Sequence, residues 1–341
     1  MRKIETNRRS FEARTTELRL GRSHPRSTWK EVLLLPGFEL QMAYAAIVLV
    51  PFSLLGFQVT GLEVPLLGMS LLTLILLMAG LSPLVLYLHQ EGKRYWFDLV
   101  VIAYCALFFS YTLNFPILLA ARAGIIFNLW DAKFVRLDRS MGIQVPDVMA
   151  WALNHSVGRV ANGCYPLLPH FMKCAVFVPP LLNKAKDTQR FLRASLIAFA
   201  IGMPLFALFP AVGPWYGYHT PGKPGQVDAE ALLLLLRHPG PCRFDGGAGI
   251  VCFPSFHVVW AILCTQALWG LRFLRIPVVI FAGLIILSTV TMGEHYLIDL
   301  VAGAVVAGIA AWTANWLGSF FQIELSETDY QARRAISISA V

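Results

Sequence analysis

The sequence predicts an all-α membrane protein, a polytopic bundle of about eight transmembrane helices with an added amphipathic segment at the membrane interface. Of its 341 residues, 57% are hydrophobic and 14% are charged, whereas about 25% of the residues of a soluble domain are charged. The mean hydropathy is +0.61, and the apolar residues fall in runs close to the roughly 20 residues that a helix needs to cross a bilayer. We therefore expect lipid, rather than water, to surround most of this chain.

Eight apolar runs are candidate spans: 38–57, 64–88, 96–120, 164–182, 191–211, 256–272, 276–292 and 296–317. The run 164–182 is the weakest, because it contains His170, Lys173 and several prolines and is also compatible with an interfacial position. Six or seven spans are therefore alternatives. With eight, the basic N-terminal tail, the basic short loops and the C-terminal tail fall on one side, which the positive-inside rule assigns to the cytoplasm.

Two long connections then lie on the other, non-cytoplasmic side. The segment 121–163 carries charges of both signs, but its apolar residues recur at helical spacing, which predicts an amphipathic helical segment along the outer interface. These apolar positions are Ile126, Trp130, Phe134, Leu137 and Met141. The second polar stretch, 213–254, is interpreted as a loop of about 40 residues.

Two histidines stand at the starts of apolar runs that a short hairpin joins, so both helix starts are expected on the same side of the bilayer. His295 and Asp299 are four residues apart and share a helix face, where a carboxylate fixes the tautomer of an imidazole. His257 follows Pro254-Ser255, a suitable helix start whose free N–H groups favour phosphate. Such a constellation can act on a phosphorylated lipid. Because intramembrane His and Asp also mark proton relays, a transporter is the alternative from another class, followed by a non-catalytic membrane subunit.

Three stretches, in this order, make the pattern specific. Residues 210–216 read Pro-Ala-Val-Gly-Pro-Trp-Tyr, residues 254–257 read Pro-Ser-Phe-His, and Ser288-Thr289 precedes His295-x-x-x-Asp299. Together they resemble the phosphatidic acid phosphatase type 2 superfamily, and within it the inositol phosphorylceramide synthase branch. More weakly, Asp131, Asp138 and Gly142 resemble an aspartate-containing interfacial segment of that branch. The resemblance covers roughly 125–317.

The resemblance implies roles for the three site residues. His295 resembles the nucleophile that forms a phosphohistidine, Asp299 the carboxylate that orients it, and His257 the acid that protonates the leaving oxygen. Attack by a lipid hydroxyl would then give a phosphotransferase, for instance for an inositol phosphate head group, and attack by water a lipid phosphatase; both stay open. The implied partners are phospholipid or sphingolipid substrates, with no cofactor, no metal and no nucleic acid.

The chain also departs from the superfamily pattern. Other phosphatases of the superfamily have Ser-Arg where this chain has Ser288-Thr289, and a Lys-x6-Arg-Pro motif is not found here, so two phosphate-binding cations are missing. Arg243, and Arg136 or Arg139, are candidates to replace them. The candidate substrate-binding residues are Ser255, Arg243, Asp131, Asp138, Arg139, Pro214 and Tyr216.

The predicted organisation has four regions. These are a basic cytoplasmic tail (1–37), N-terminal transmembrane helices (38–123), a phosphatase- or phosphotransferase-type membrane domain (124–320) and a C-terminal cytoplasmic tail (321–341). The active site is expected on the non-cytoplasmic face, whether periplasmic, extracellular or lumenal. None of the six cysteines has Cys-x-x-Cys spacing, so no metal site is predicted. A disulfide between Cys242 and Cys252 is left open.

Overall fold

The computed structural model describes residues 38–63, 76, 80–243 and 249–339, with side chains described up to residue 318 except that of residue 40. The predicted basic tail 1–37 and most of the candidate span 64–88 lie outside the described residues. The predicted C-terminal tail 321–341 continues the last helix as far as residue 339.

The described chain is a bundle of helices of very different lengths. In chain order they are α1 (Phe38–Thr60), helical residues 80–90, α2 (Arg94–Thr112), α3 (Asn114–Ala123), α4 (Asp131–Ser140), α5 (Val145–Asn154), α6 (Ser156–Cys164), α7 (Leu168–Leu181), α8 (Ala185–Leu208), α9 (Pro214–Gly217), α10 (Pro224–Leu236), α11 (Phe256–Leu268), α12 (Arg275–Thr291) and α13 (Leu297–Ser339). Three 3₁₀ turns, Gly124–Ile126, Tyr165–Leu167 and Arg272–Leu274, lie between them. The predicted all-α membrane bundle is confirmed.

Among the described residues, five helical stretches are long and apolar enough to cross a membrane: Gln41–Thr60, Arg94–Ile126, Ala185–Leu208, Arg272–Thr291 and Leu297–Gly318. Two of the predicted spans are shorter as helices. The run 256–272 is helical only over the 13 residues of α11, because the chain turns at Gly270. The run 164–182 loses its first turn to the 3₁₀ segment and leaves the 14 residues of α7.

A short parallel strand pair joins the N-terminal helices to the connection that follows α10. Strand β1 (Leu62–Glu63) follows α1 and pairs with β2 (Cys242–Arg243), with Leu62 opposite Cys242. Beside it the buried Arg122 guanidinium donates hydrogen bonds to the carbonyl oxygens of Thr60, Leu236, His238 and Gly240. A charge buried in this way is compensated by backbone dipoles rather than by a carboxylate.

The two long connections are more ordered than the sequence suggested. Residues 131–164 form the three helices α4, α5 and α6, and of the five repeating apolar positions only Phe134 is buried. The interpretation of 213–254 as a loop is wrong, because it contains α9, α10 and β2. Pro224 at the first helical position and the buried Leu233 and Leu236 explain α10, since an apolar face and an N-terminal proline are a helix signal.

The site-bearing helices lie at the centre of this packing. Helix α11 packs against α7, α8, α12 and α13, while α13 also packs against α8 and α4. Gly303 allows α11 and α13 to approach closely, since a Cβ on it would lie 2.5 Å from the carbonyl oxygen of Ser255. The start of α11 and the first turns of α13 are thereby held together.

Candidate active site

The site lies where α11 and α13 begin. The Ser255 hydroxyl accepts a hydrogen bond from the Val258 N–H and caps α11. The Ser255 N–H in turn donates to the carbonyl oxygen of Asp299 in α13, at 3.0 Å. The two helix starts therefore share backbone as well as side-chain contacts, and each carries one of the predicted histidines beside it.

The two imidazoles face each other. Nε2 of His295 lies 3.4 Å from Nδ1 of His257, and the ring centroids are 5.5 Å apart at an interplanar angle of 63°. The other side of the His257 ring stacks on Tyr165, with centroids 4.5 Å apart and planes inclined by 20°. Tyr165 belongs to the 3₁₀ turn before α7 and is a site neighbour that the sequence reading did not identify.

The tautomer of the neutral His295 ring follows from the partners of Nδ1. Nδ1 lies 2.8 Å from the carbonyl oxygen of Cys252 and 3.4 Å from Oδ2 of Asp299. Both oxygens only accept hydrogen bonds, so Nδ1 carries the proton and Nε2 of the neutral ring has the lone pair. That lone pair points toward His257, which is the arrangement a nucleophilic imidazole needs.

Asp299 is tied to several groups at once. Its Oδ2 accepts hydrogen bonds from the Tyr296 N–H at 2.8 Å and from the Cys252 thiol at 3.2 Å. The carboxylate is 0% exposed, and its Oδ1 has no hydrogen-bond partner among the described residues. Asp299 thus fixes the loop that presents His295 as well as the ring itself.

Asp131 and Asp138 were predicted as substrate-binding residues. In the structure both carboxylates are buried and bind groups of the protein itself. Asp131 accepts hydrogen bonds from the backbone N–H groups of Val212 and Gly213 and from the Tyr296 hydroxyl, at 2.9–3.1 Å. Asp138 accepts the N–H of Leu297, the first residue of α13, at 3.2 Å. From α4, these carboxylates hold the 210–216 stretch and the start of the helix that follows His295.

Burial shifts the pKa of both carboxyls upward. Burial raises the pKa of Asp131, although the N–H groups of Gly213 and Val212 act in the opposite direction. Burial likewise raises the pKa of Asp138, to about 6, against the hydrogen bond from Leu297. Asp138 therefore titrates in the range where many enzymes work.

The other predicted substrate-binding residues lie on elements around the site. Arg139 is exposed, with its guanidinium 5.6 Å from the Tyr218 ring, and Arg243 is exposed in β2, opposite Glu63. Pro214 is buried at the start of α9, where Tyr216 is half-buried. Within the described part of the chain, no hydrogen bond or ion pair joins Arg139, Pro214 or Tyr216 to either histidine.

Helix α10 brings a polar cluster that the sequence reading missed. The Lys223 ammonium donates to the carbonyl oxygen of Met292 at 2.7 Å, and the Gln226 amide donates to the Glu294 carboxylate at 2.9 Å. Burial raises the pKa of Glu294 and lowers that of Lys223. The sequence signal that could have located this cluster is the helix start at Lys223-Pro224-x-Gln226. There the Gln226 side chain accepts a hydrogen bond from the Lys223 N–H, as in a capping box.

Three donor atoms of the site also have the spacing of metal ligands. The Cys252 sulfur, a ring nitrogen of His295 and a carboxylate oxygen of Asp299 all lie within 4.8 Å of one another. The open question of a disulfide is answered at the same place, because Cys242 and Cys252 are both free thiols. Cys252 is instead engaged with Asp299.

Comparison with known proteins assigns the region that contains this site. A family model described as the PAP2 superfamily matches residues 132–313, more than half of the chain and the whole path from α4 into α13. No curated protein and no solved structure matches the chain. The match confirms the superfamily that the motifs resemble, at a level coarser than the inositol phosphorylceramide synthase branch.

Proposed function

The chain belongs to the PAP2 superfamily, and from this premise we propose that it is an integral-membrane lipid phosphotransferase that works through a phosphohistidine on His295. Membership and the apolar helices support a membrane enzyme of the phosphatase or phosphotransferase type. The finer proposal is that it moves a phospho head group, of the inositol phosphate kind, from one lipid to a hydroxyl of another. The phospholipid or sphingolipid substrates would enter from the bilayer.

One observation carries the proposal: the hydrogen bond from Nδ1 of His295 to the carbonyl oxygen of Cys252, which leaves the lone pair on Nε2. In the first step this nitrogen attacks phosphorus, the N–P bond forms, and the P–O bond to the leaving alcohol breaks. His257, which enters this step as the imidazolium, gives its proton to the leaving oxygen and becomes neutral. The ring of His295 then carries positive charge, which the carboxylate of Asp299 at 3.4 Å stabilises.

In the second step His257 takes a proton from the attacking hydroxyl, the new P–O bond forms, and the P–N bond breaks. Both imidazoles return to their starting protonation, so the cycle balances. Because a phosphoryl group does not fit into the 3.4 Å between the two nitrogens, substrate binding must separate the rings. Stacking on Tyr165 gives His257 a surface along which to move.

Enclosure of the nucleophile favours transfer over hydrolysis. His295 is 3% exposed, and the start of α10 lies against the loop 292–295 in front of it. Restricted access of water lengthens the lifetime of a phosphohistidine until a lipid hydroxyl arrives. The Ser288-Thr289 pair points the same way, since it resembles the transferase branch.

Charge at the opposite ends of the helices supports a site on the non-cytoplasmic face. The Lys184 ammonium, before α8, donates to the carbonyl oxygen of Gly270, after α11, so these two turns share one end of the bundle. Arg272 and Arg275 follow at that end, where the positive-inside rule places the cytoplasm. The histidines lie at the other end of α11, and we place both termini in the cytoplasm.

The test is chemical trapping. Purified enzyme incubated with a lipid substrate labelled in its phosphate should acquire label that is stable to base and labile to acid, as expected of a phosphohistidine. His295→Ala should abolish the label and lower turnover by roughly 10⁴-fold or more, the scale on which loss of a nucleophile acts. His170→Ala, which removes an exposed histidine of α7, is the matched control.

Mass spectrometry of the products separates the two reactions. With an acceptor lipid present, a new phosphodiester lipid supports transfer, and release of the head group phosphate alone would replace transfer by hydrolysis. Near-normal turnover in His295→Ala would overturn the phosphohistidine mechanism itself.

A further inference from the structure

Beside the His295–Asp299 pair lies the Cys252 thiol, a potential metal ligand that the proposed reaction does not use. The Cys252 sulfur lies 3.2 Å from Oδ2 of Asp299, and Nδ1 of His295 lies 3.4 Å from the same oxygen. With metal–ligand distances of about 2.0–2.3 Å, the edges of a zinc tetrahedron are roughly 3.3–3.7 Å long. The two distances therefore already approximate two edges of such a tetrahedron.

A second observation concerns the other oxygen of the same carboxylate. Oδ1 of Asp299 is buried and has no hydrogen-bond partner among the described residues. An unpaired carboxylate oxygen in a buried site is costly, and a bound cation is one of the few groups that would satisfy it. The thiol of Cys252 adds a soft ligand, which selects for zinc-like ions over magnesium or calcium.

We propose that Cys252, His295 and Asp299 form an inhibitory site for a thiophilic divalent cation of the Zn²⁺ class. The ligands are the Cys252 thiolate, Nδ1 of His295 and the Asp299 carboxylate, and a water molecule or the second carboxylate oxygen completes the coordination. The proposal that a cation binds here is argued from geometry alone. The proposal that the cation inhibits the enzyme rests on the proposed phosphohistidine mechanism.

Inhibition follows from the tautomer of one ring. A neutral imidazole has a single lone pair. Nucleophilic attack requires that pair on Nε2 and the proton on Nδ1, where it now bonds the Cys252 carbonyl oxygen. Coordination requires the pair on Nδ1, so the proton moves to Nε2 and the attacking atom is blocked. The Cys252 thiol releases one proton to solvent as the metal–sulfur bond forms.

The binding test needs no enzyme activity. Co²⁺ added to the purified full-length chain in detergent should give a thiolate-to-cobalt charge-transfer absorption band that excess Zn²⁺ removes. Cys252→Ser and Cys252→Ala should both lose the band. Cys264→Ser is the matched control, because Cys264 is also a buried free thiol but lies inside α11. A band of wild-type strength in both Cys252 variants, or no band in the wild type, would overturn the site.

The inhibition test uses turnover, with each variant compared with its own metal-free rate. Zn²⁺ should inhibit the wild type and the Cys264→Ser variant, with full recovery after a chelator is added. Cys252→Ser should need about tenfold more Zn²⁺ or higher, since even an outer partner of a metal ligand is worth that much. Zinc-insensitive turnover in a wild type that shows the cobalt band would overturn the inhibitory role, whereas an inactive wild type that shows the band would count against the proposed function instead.

Discussion

The two helix starts that carry the histidines are built in different ways. Helix α11 is capped locally, by the hydroxyl of Ser255 two residues before His257. Helix α13 is capped from a distance, because the N–H of its first residue donates to Asp138 in α4, 159 positions earlier in the chain. A short motif therefore suffices to place His257, whereas His295 depends on how α4 packs against α13.

Carboxylates also hold the residues that directly follow His295. Asp131 and Asp138 hold Tyr296 and Leu297, the next residues along the chain, while Asp299 holds the ring and the N–H of Tyr296. Of these three carboxylates, that of Asp299 lies 3.4 Å from Nδ1 of His295, where it would stabilise the cationic ring of the proposed phosphohistidine.

The largest effect on turnover is expected when His257, at the locally capped start of α11, is replaced. In the proposed mechanism His257→Ala removes the proton donor for the leaving oxygen, so turnover on a natural lipid should fall by about 10²–10⁴-fold. A substrate with an acidic phenol as its leaving group needs no such proton. The ratio of rates between the two substrates, measured for wild type and variant, checks this role. An equal loss on both substrates would mean that His257 acts through structure instead.

Next in size is the effect of Asp131, which belongs to the remotely built start. Asp131→Ala leaves two backbone N–H groups without an acceptor and removes one of the two acceptors near the Tyr296 hydroxyl, which also lies 2.8 Å from the Gly213 carbonyl oxygen. The free energy of unfolding should fall by about 2–5 kcal/mol. Asp131→Asn keeps one acceptor oxygen and should lose less. Denaturant unfolding in detergent measures both. If Asp131→Ala unfolds like the wild type, the carboxylate does not hold the 210–216 stretch.

The difference between the two starts also explains what the sequence could predict. Apolar runs and local sequence signals are sufficient to predict the membrane helices, the helix start at Pro254-Ser255-x-His257 and the pairing of His295 with Asp299. The partners of Asp131 and Asp138 lie about 80 and 160 residues away, so a local pattern could suggest their importance but not the groups they bind. The docking of α10 on the loop 292–295 is equally non-local. Helix lengths were overestimated at 256–272 because hydropathy does not register the turn at Gly270.

The two caps allow a direct comparison of smaller effects. Asp138→Ala and Ser255→Ala each remove one cap and should each cost about 0.5–2 kcal/mol of unfolding free energy. Asp138→Ala should in addition lower turnover more than Ser255→Ala, because it loosens the residue two positions after His295. Thermal unfolding and turnover measured on the same samples give both quantities. A larger loss of turnover in Ser255→Ala would reverse the assignment of local and remote control.

The smallest expected effect is a dependence of the stability on pH. It should arise from Asp138, the cap of α13, because the Ser255 cap of α11 does not titrate. Burial raises the pKa of Asp138 to about 6 in the folded protein, above the ordinary value of 3.8. A carboxyl whose pKa is raised by folding stabilises the fold fully below its unfolded pKa, and this contribution is lost as the pH rises through about 6. The melting temperature of the wild type relative to Asp138→Asn, which does not titrate, should therefore fall between about pH 4 and pH 7. Asp147→Asn, at an exposed position in α5, is the control and should show a smaller change. A difference between wild type and Asp138→Asn that stays constant over this range would show that the carboxyl is ionised throughout, held as an anion by the N–H groups at the start of α13.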